Sequence, residues 1–312
     1  MSDDERNLTR RDFLRRAASA VAAAAVGLPV ASCRAAREEA RLAQAPATPA
    51  QAEAPARASV VLVRDEAAVG EGNAINFDVV GRMLDDAVTA LLGTQDAASA
   101  WAQLVKAEDL VGIKSNEWGN LRTPPEVEQI LRARVLAAGV PADRVRVTDR
   151  QARQMLADCT ALINCRPARA HHWAGMGGCI KNYIVFSDNP SQYHPDACDT
   201  LATVWDLFGV KKKTRLNILL LLTPQFYARG PHNFDAQYLW PYRGILVSQD
   251  PVAVDALGAH LLRTKREAHF GEEQPITPTT HIASAETRYG LGVADLTRID
   301  LTRLGWEAEA LI

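Results

Sequence analysis

From residue 59 onward, short apolar runs alternate with helix-length amphipathic stretches. Each run is bounded by polar or turn-forming residues, which is typical of strands buried in a sheet. These runs lie at residues 60–63, 110–113, 145–147, 161–163, 216–222 and 245–247. Residues 216–222 are continuously apolar, and a strand without a polar face is expected at the centre of a sheet. Strands separated by helices predict a three-layer α/β fold, with a mainly parallel sheet and helices on both faces.

The helical stretches carry recognisable start and stop signals. Asn76 precedes a face of apolar residues at helical spacing, and Gly93 marks its expected end. Asp250 and Pro251 predict the N-cap and first turn of a helix over residues 252–262. Shorter helical pieces are predicted at residues 101–105, 124–138, 151–157 and, capped by Asp199, to residue 208. The last forty residues, from about Glu273, predict an irregular cover ending in two short elements.

Residues 164–182 combine chemically reactive side chains with several glycines. They contain two arginines, two adjacent histidines and two cysteines, and they follow the predicted strand at residues 161–163. A glycine-containing polar loop at the end of a parallel strand is where open α/β sheets hold ligands. Lys114 and Asn116 follow another predicted strand in the same way. We therefore predict that residues 164–182 form a loop at the functional centre of the chain.

A small anionic ligand fits the residue types found at these strand ends. Arginine clamps an anion with two donors, lysine supplies a point charge, and histidine can act as acid or base near neutral pH. His171 and Lys181 are the catalytic candidates. The candidate ligand-binding residues are Lys114, Asn116, Arg169, Asn182, Asp250 and Asp255. Asp250 has a competing interpretation, since a helix N-cap needs no ligand.

A divalent transition metal is the competing interpretation of the same region. His171 and His194 are the candidate ligands, because imidazole suits zinc, nickel and iron. Their spacing matches no compact metal motif, and adjacent side chains on an extended segment, such as His171 and His172, point to opposite faces. The sequence leaves open a metal site, a metal-free site and a purely structural role.

Composition and charge narrow the classes of function. The chain has 312 residues with a formal net charge of -2, which gives no electrostatic reason to expect nucleic acid. No nucleophile elbow, P-loop or dinucleotide fingerprint occurs, although the glycines at residues 175, 177 and 178 approach a phosphate-cradling turn. The cysteine spacings do not form an iron-sulfur cluster motif.

The first thirty-three residues predict export. Arg10 and Arg11 lie in a twin-arginine pattern, and the alanine-rich run at residues 17–30 is too short and too weakly apolar for a stable membrane span. We expect translocation by the twin-arginine machinery and a periplasmic or envelope-anchored location. Residues 30–33 can be read as a lipobox with Cys33 as the lipidated residue, or as an ordinary signal peptidase site. Contact with the membrane is expected only through the signal peptide or that lipid anchor.

Residues 34–57 are rich in alanine and proline and predict a flexible tether, so that residues 58–312 form a single α/β domain. Four cysteines follow Cys33, and export permits disulfides among them. Sequence alone does not choose between the three possible pairings and four reduced thiols. These cysteines are Cys159, Cys165, Cys179 and Cys198.

Three short motifs in order resemble the domain of unknown function 362 family over residues 59–262. A strand ending in isoleucine, lysine, a small residue and asparagine is matched at residues 113–116, with Ser115 where proline is usual. The second motif is matched by Asn164, Arg169, His171, Lys181 and Asn182, although Pro167 is one place late and arginine replaces lysine. The third is matched at residues 250–253 and Asp255.

The resemblance implies the α/β fold more directly than a reaction. Some relatives carry ferredoxin-like cluster modules, which points to redox or cofactor chemistry, but this chain lacks those cysteines. We expect an exported enzyme acting on a small anionic or metal-chelated ligand. The alternative is a membrane-tethered accessory protein that binds a ligand or metal without catalysis.

Overall fold

The computed structural model describes residues 55–228, 234–272, 274 and 276–312. The predicted signal peptide, Cys33 and residues 34–54 of the predicted tether lie outside these residues, so export and lipidation stay predictions. Within the described ranges, no helix combines the length and the apolar character that crossing a membrane requires. The first strand begins at Ala58, where the predicted domain starts.

In this part of the chain eight strands form one mixed sheet in the order β3-β2-β4-β6-β7-β1-β8, with β5 paired to β4 alone. Neighbours are parallel except where β7 meets β6 and β1, and where β5 meets β4. The predicted α/β class with a mostly parallel sheet is therefore confirmed. The strands are β1 (Ala58–Arg64), β2 (Val111–Lys114), β3 (Val145–Thr148), β4 (Ala161–His171), β5 (Gly175–Gly177), β6 (Thr214–Gln225), β7 (Gly244–Ser248) and β8 (Ile299–Gly305).

Helices cover the sheet. They are α1 (Phe77–Leu92), α2 (Ala97–Leu104), α3 (Pro125–Ala137), α4 (Ala152–Asp158), α5 (Cys179–Asn182), α6 (Pro195–Cys198), α7 (Val210–Lys213), α8 (Pro251–Phe270) and α9 (Thr280–Thr287). Short 3-10 helices connect them at Glu66–Ala68, Glu71–Asn73, Ala142–Arg144, Tyr183–Phe186, Pro190–Tyr193, Leu201–Gly209, Ala236–Tyr238 and Leu296–Arg298.

Strand alternation divides the core into two layers. Val61 and Val63 of β1 pack in one cluster with α1, α2 and α3, whereas Val60 and Leu62 pack in another with α4, α8 and α9. Successive side chains of a strand point to opposite faces of the sheet. Helices therefore cover both faces, as the pattern of apolar runs predicts.

The predicted signals at helix ends are confirmed at both long helices. The side-chain oxygen of Asn76 accepts a hydrogen bond from the Val79 N–H, and Gly93 ends α1 with a left-handed φ of 62°. Asp250 caps α8, which runs eight residues beyond the predicted end, and in that extension Arg266 is buried and donates a hydrogen bond to the Phe226 carbonyl at 3.0 Å.

The prediction of a loop over residues 164–182 is wrong. β4 continues to His171, turns back as β5 and leads directly into α5. Asn164 and Arg166 are buried within β4. Because they are polar, they interrupt the apolar run, and a prediction based on apolar runs ends the strand too early. The reactive stretch is thus the last two-thirds of a long strand, a hairpin and a helical turn.

The predicted cap at Asp199 is also wrong. Thr200 precedes the 3-10 helix Leu201–Gly209, and the Asp199 carboxylate instead binds Ser284 and Arg288. The chain enters this region through three left-handed residues, with φ of 51° at Asp196, 55° at Ala197 and 63° at Cys198. The Asp199 carboxylate is thus bound to side chains of residues 284 and 288 and not to N–H groups of the 3-10 helix.

The C-terminal region holds a strand that the sequence did not reveal. β8 lies at the sheet edge, parallel to β1, and only Ile299 among its seven residues is buried. An edge strand with so few buried positions carries little apolar signal. The two short elements predicted for this region are thus α9 and β8, and the prediction of an irregular cover is corrected in that β8 belongs to the sheet.

All four cysteines of the domain are free and buried in the structure. The sequence left open three disulfide pairings and four reduced thiols, and the structure shows four reduced thiols.

Asp250 provides a test of the fold. Its carboxylate accepts hydrogen bonds from the N–H groups of Val252 at 2.8 Å, Ala253 at 3.0 Å and Val293 at 2.9 Å. We expect Asp250→Ala to lower the free energy of unfolding by about 2–4 kcal/mol, because a cap and a partner for a buried N–H are both lost. Urea unfolding measures this, with the exposed Asp206→Ala as control. Unchanged stability would contradict the capping role.

Candidate functional site

A cavity of about 330 Å³ lies where β2, β3 and β4 end. The loop after β2 contributes Asn116 and Trp118, and the loop after β3 contributes Asp149. The remaining walls come from the second half of β4, from α5 and from residues 184–194. The cavity therefore occupies the position where parallel sheets bind ligands.

Most of the candidate residues from the sequence meet in this cavity. Lys114 lies directly beneath it, whereas Asp250 and Asp255 lie outside its lining and bind backbone N–H groups. The candidates that line the cavity are Asn116, Arg169, His171, Lys181, Asn182 and His194.

Lys114 is fully buried, and each N–H of its ammonium group has an acceptor. Its Nζ donates to the Asp149 carboxylate, to the Ser115 carbonyl at 2.7 Å and to Asn182 Oδ1 at 3.4 Å. An ammonium has three N–H donors, so these partners use all of them. Burial lowers the pKa of Lys114 to about 8, against the opposing effect of Asp149. This ion pair supports the floor of the cavity and has no donor left for a ligand.

A chain of buried amides connects α5 to the sheet. Asn182 Nδ2 donates to Asn164 Oδ1 at 2.8 Å, and Asn164 Nδ2 donates to Asn217 Oδ1 at 3.0 Å. Asn217 Nδ2 then donates to the Gln249 carbonyl at 3.1 Å. Because each donor meets an acceptor, the chain fixes the orientation of every amide.

Asp255 holds the start of α5. Its two carboxylate oxygens accept hydrogen bonds from the N–H groups of Cys179 at 2.6 Å and Ile180 at 2.8 Å. A Cβ atom at Gly178 would lie 2.3 Å from Asp255 Oδ1, so glycine is required for this approach. Burial raises the pKa of Asp255 to about 7, although these two N–H donors and Arg166 oppose it. The glycine turn that resembles a phosphate cradle thus holds a carboxylate of the same chain.

Three cations face the cavity without carboxylate partners. Arg166 is 4% and Lys181 3% exposed, and no ion pair joins these residues or Arg169 to a carboxylate in the part of the chain that the structure describes. The Nε atoms of Arg166 and Arg169 are buried there without a hydrogen-bond partner. The Arg169 guanidinium lies 3.9 Å above the ring of Trp118.

The electrostatics of these cations are unfavourable in the free protein. Burial, reinforced by Arg166, lowers the pKa of Arg169 to about 9. Burial also lowers the pKa of Lys181 to about 8, and its Nζ donates to the Cys198 thiol, a weak acceptor, at 3.8 Å. With these pKa values Arg169 and Lys181 still carry a positive charge at neutral pH, and burial lowers the pKa of Arg166 as well. The cavity therefore concentrates positive charge that an anion would neutralise.

His171 is a neutral hydrogen-bond donor in this environment. Burial, together with Lys181 and the two arginines, lowers its pKa well below the ordinary value. Its Nδ1 accepts a hydrogen bond from the Trp173 N–H at 3.2 Å, so the neutral ring carries its proton on Nε2. His171 lines the cavity, and its Nε2–H is therefore available as a donor to a ligand there.

Histidine and tryptophan rings form a column beside the cavity. Trp173 lies between His172 and His194, with ring centroids 4.0 Å and 4.1 Å away. The rings of His171 and His172 stack at 5.4 Å, which corrects the expectation that they diverge. β4 ends at His171, so strand alternation does not extend to His172. Burial lowers the pKa of His194 to about 4, which keeps it neutral.

The metal hypothesis gains no support from the geometry. Within the described ranges, no three or more His, Cys, Asp and Glu side chains are grouped to hold an ion. His171 and His194 line the same cavity but supply only two nitrogen ligands, and structural or catalytic zinc sites use at least three protein ligands.

Sequence reasoning missed three residues of the cavity. Asp149 follows β3, and the rule that selected Lys114 and Asn116 at the end of β2 would also have selected it. Arg166 lies in β4, which the sequence analysis treated as loop, and Trp118 was assigned no role. The pairing shift between Pro167 and Arg169 brings Arg166 and Arg169 to one cavity, and no sequence pattern predicts such a shift.

Comparison with known proteins identifies part of the chain. Residues 132–260 match the family model described as Domain of unknown function (DUF362). This span contains β4, β5 and α5, and with them Arg166, Arg169 and Lys181. It supports the resemblance for that part of the chain. Neither the curated proteins nor the solved structures contain a match to the chain.

Asn182 provides a test of the amide chain. We expect Asn182→Asp to lower the free energy of unfolding by about 2–4 kcal/mol at neutral pH, because a carboxylate cannot donate to Asn164 Oδ1 or the Lys114 carbonyl. Urea unfolding measures the loss. Asn120→Asp, at an exposed position, is the matched control and should change stability by less than about 0.5 kcal/mol. Equal effects of the two changes would refute the assigned amide orientation.

Proposed function

We propose that this protein binds a small anionic ligand in the cavity at the carboxyl ends of β2, β3 and β4. The observation that carries the proposal is that buried Arg166 and Lys181 and half-buried Arg169 surround one cavity and form no ion pair with a carboxylate among the described residues. Isolated buried charges are costly, and proteins pair them or use them to bind ligands. An anion of about two negative charges would offset much of that cost.

A count of the other charges supports a ligand of this sign. Lys114 pairs with Asp149, and Arg150 pairs with Glu117, so both pairs are neutral. The pKa of Arg166 is lowered by burial, with partial compensation from Asp149 and Asp255. No carboxylate compensates the effect of burial on Arg169 or Lys181, although the Cys198 thiol partly offsets it at Lys181. The cavity thus keeps an excess of positive charge.

Neutral donors complete the recognition of the anion. Asn116 lines the cavity, where its Nδ2 donates a long hydrogen bond to Asn182 Oδ1 at 3.4 Å, and His171 offers its Nε2–H. Lys181, with a pKa of about 8, is the group best placed to give a proton to a bound ligand near neutral pH. In an enzyme of this kind Lys181 would be the acid, and His171 would hold the ligand.

The second candidate is a non-catalytic binding protein. It is favoured by the hydrogen bond to His171 Nδ1, because this bond occupies the nitrogen that a general base would need. We propose that in either case the protein is exported by the twin-arginine route and acts in the periplasm or anchored to the envelope. Arg10, Arg11 and Cys33 are the basis of that part of the proposal.

Charge removal at the cavity tests the proposal. We expect isothermal titration calorimetry to detect binding of sulfate or inorganic phosphate, and we expect Arg169→Gln and Lys181→Gln to weaken it about 10- to 100-fold, since hydrogen bonds to charged groups contribute about 1.5–3 kcal/mol. Arg82→Gln, which removes an exposed arginine from α1, is the matched control. Both cavity variants should stay folded, because they remove an unpaired buried charge. If all four proteins bind equally or not at all, the proposal fails.

Sulfate binding should weaken as pH rises above about 8. Lys181 is protonated below its pKa of about 8, and above it the protein must take up a proton in order to bind the anion. The loss is at most about tenfold per pH unit for each group that titrates, while sulfate keeps its charge throughout. Calorimetry between about pH 7 and about pH 9 measures the slope, which should be smaller in Lys181→Gln. An identical slope in the variant would show that Lys181 does not contact the anion.

A further inference from the structure

A second, more open depression of about 760 Å³ adjoins the anion cavity and forms a groove along the start of α4. The two share Asp149, Arg150 and Val185 in their linings, so the groove is continuous with the cavity. A ligand whose charged group lies among the cations therefore has one direction in which the rest of the molecule can extend. The cavity alone, at about 330 Å³, is at the lower end of the range for small-molecule sites.

The groove differs from the cavity in charge. Its two arginines are both paired, Arg150 with Glu117 and Arg153 with Asp188, and Gln151 lies between them. No aromatic side chain is present among its lining residues, all of which the structure describes. Such a surface offers hydrogen bonds to a polar, uncharged group and gives no ring on which a base could stack.

The arrangement of cations in the cavity favours a tetrahedral anion. Arg166 and Arg169 reach it from β4, and Lys181 reaches it from α5. A carboxylate presents two oxygens in one plane and a single charge. A phosphate monoester carries a charge of about -1.5 to -2 at neutral pH and three strong acceptor oxygens. Three separate cationic side chains match three terminal oxygens.

We propose that the ligand is a phosphate monoester of a polar, non-aromatic alcohol, such as a sugar or polyol phosphate, with the phosphate among Arg166, Arg169 and Lys181 and the alcohol portion in the groove. This inference rests on the proposed function and specifies its ligand class. It assigns the groove residue Gln151 to the recognition of hydroxyl groups.

A calorimetric panel tests the proposal on the intact protein. The probes are inorganic phosphate, glycerol 3-phosphate, glucose 6-phosphate, phenyl phosphate and malonate. We expect glucose 6-phosphate to bind at least about tenfold more tightly than inorganic phosphate and phenyl phosphate, and malonate to bind most weakly, because a tenfold difference corresponds to one or two added hydrogen bonds.

A variant that fills the groove separates its contribution from that of the cavity. Gln151→Phe should remove the advantage of glucose 6-phosphate and leave the affinity for inorganic phosphate unchanged. Gln103→Phe, at an exposed position of α2, is the matched control and should change neither affinity.

The outcomes distinguish the two proposals. If no probe binds, the proposed anion site itself is refuted. If malonate binds as tightly as the phosphates, the anion site stands and the phosphate class is wrong. If inorganic phosphate binds as tightly as its esters, or if Gln151→Phe leaves their ranking unchanged, the groove does not hold the ligand and the inference is overturned.

Discussion

The cavity depends on one constraint, the complete hydrogen bonding of Asn182. Its Nδ2 donates one N–H to Asn164 Oδ1 at 2.8 Å and the other to the Lys114 carbonyl at 3.1 Å, with the Cys165 carbonyl 3.4 Å away, so it connects α5 to β2 and β4 at once. Asp255 fixes the other end of α5 through two backbone N–H groups. A buried polar group without a partner costs free energy, and this requirement leaves α5 a single orientation. Lys181, the preceding residue, is thereby directed to the cavity.

The same region contains satisfied and unsatisfied polar groups side by side. The amides and the Lys114 ammonium have partners, whereas the Nε atoms of Arg166 and Arg169 have none among the described residues. Ser115 Oγ and both ring nitrogens of His281 are also buried without a partner among the described residues. Arg166 and Arg169 differ from them because both are cations that line one cavity, and each has a pKa lowered mainly by burial. The hydrogen-bonded amides and the Lys114 ammonium thus support the cavity, and the arginines are left to face a ligand.

The sequence predicted those features that depend on local rules. The caps at Asn76 and Asp250 and the apolar strands were correct, because capping and burial leave a mark within a few residues. The rule that polar residues after parallel strands meet at one edge of the sheet also correctly predicted that Lys114, Asn116 and Lys181 lie near one another. The predictions that were wrong concern features that depend on tertiary contacts. β4 continues through polar residues whose hydrogen-bond partners are distant in sequence. The edge strand β8 is defined by its pairing with β1. The role of Asp255 was equally out of reach, since its partners precede it by about seventy-five residues.

Asp255 also explains why recognition of the anion falls to side chains. Helix N-termini often bind phosphate through free backbone N–H groups, but the first N–H groups of α5 are already bound to this carboxylate. An anion in the cavity must therefore be held by Arg166, Arg169 and Lys181. Side-chain cations in a buried cavity differ from backbone donors in that their charge depends on pH and on the ligand itself. Binding and protonation are consequently coupled in this site, and the lowered pKa of Lys181, about 8 in the free protein, is the physical origin of that coupling.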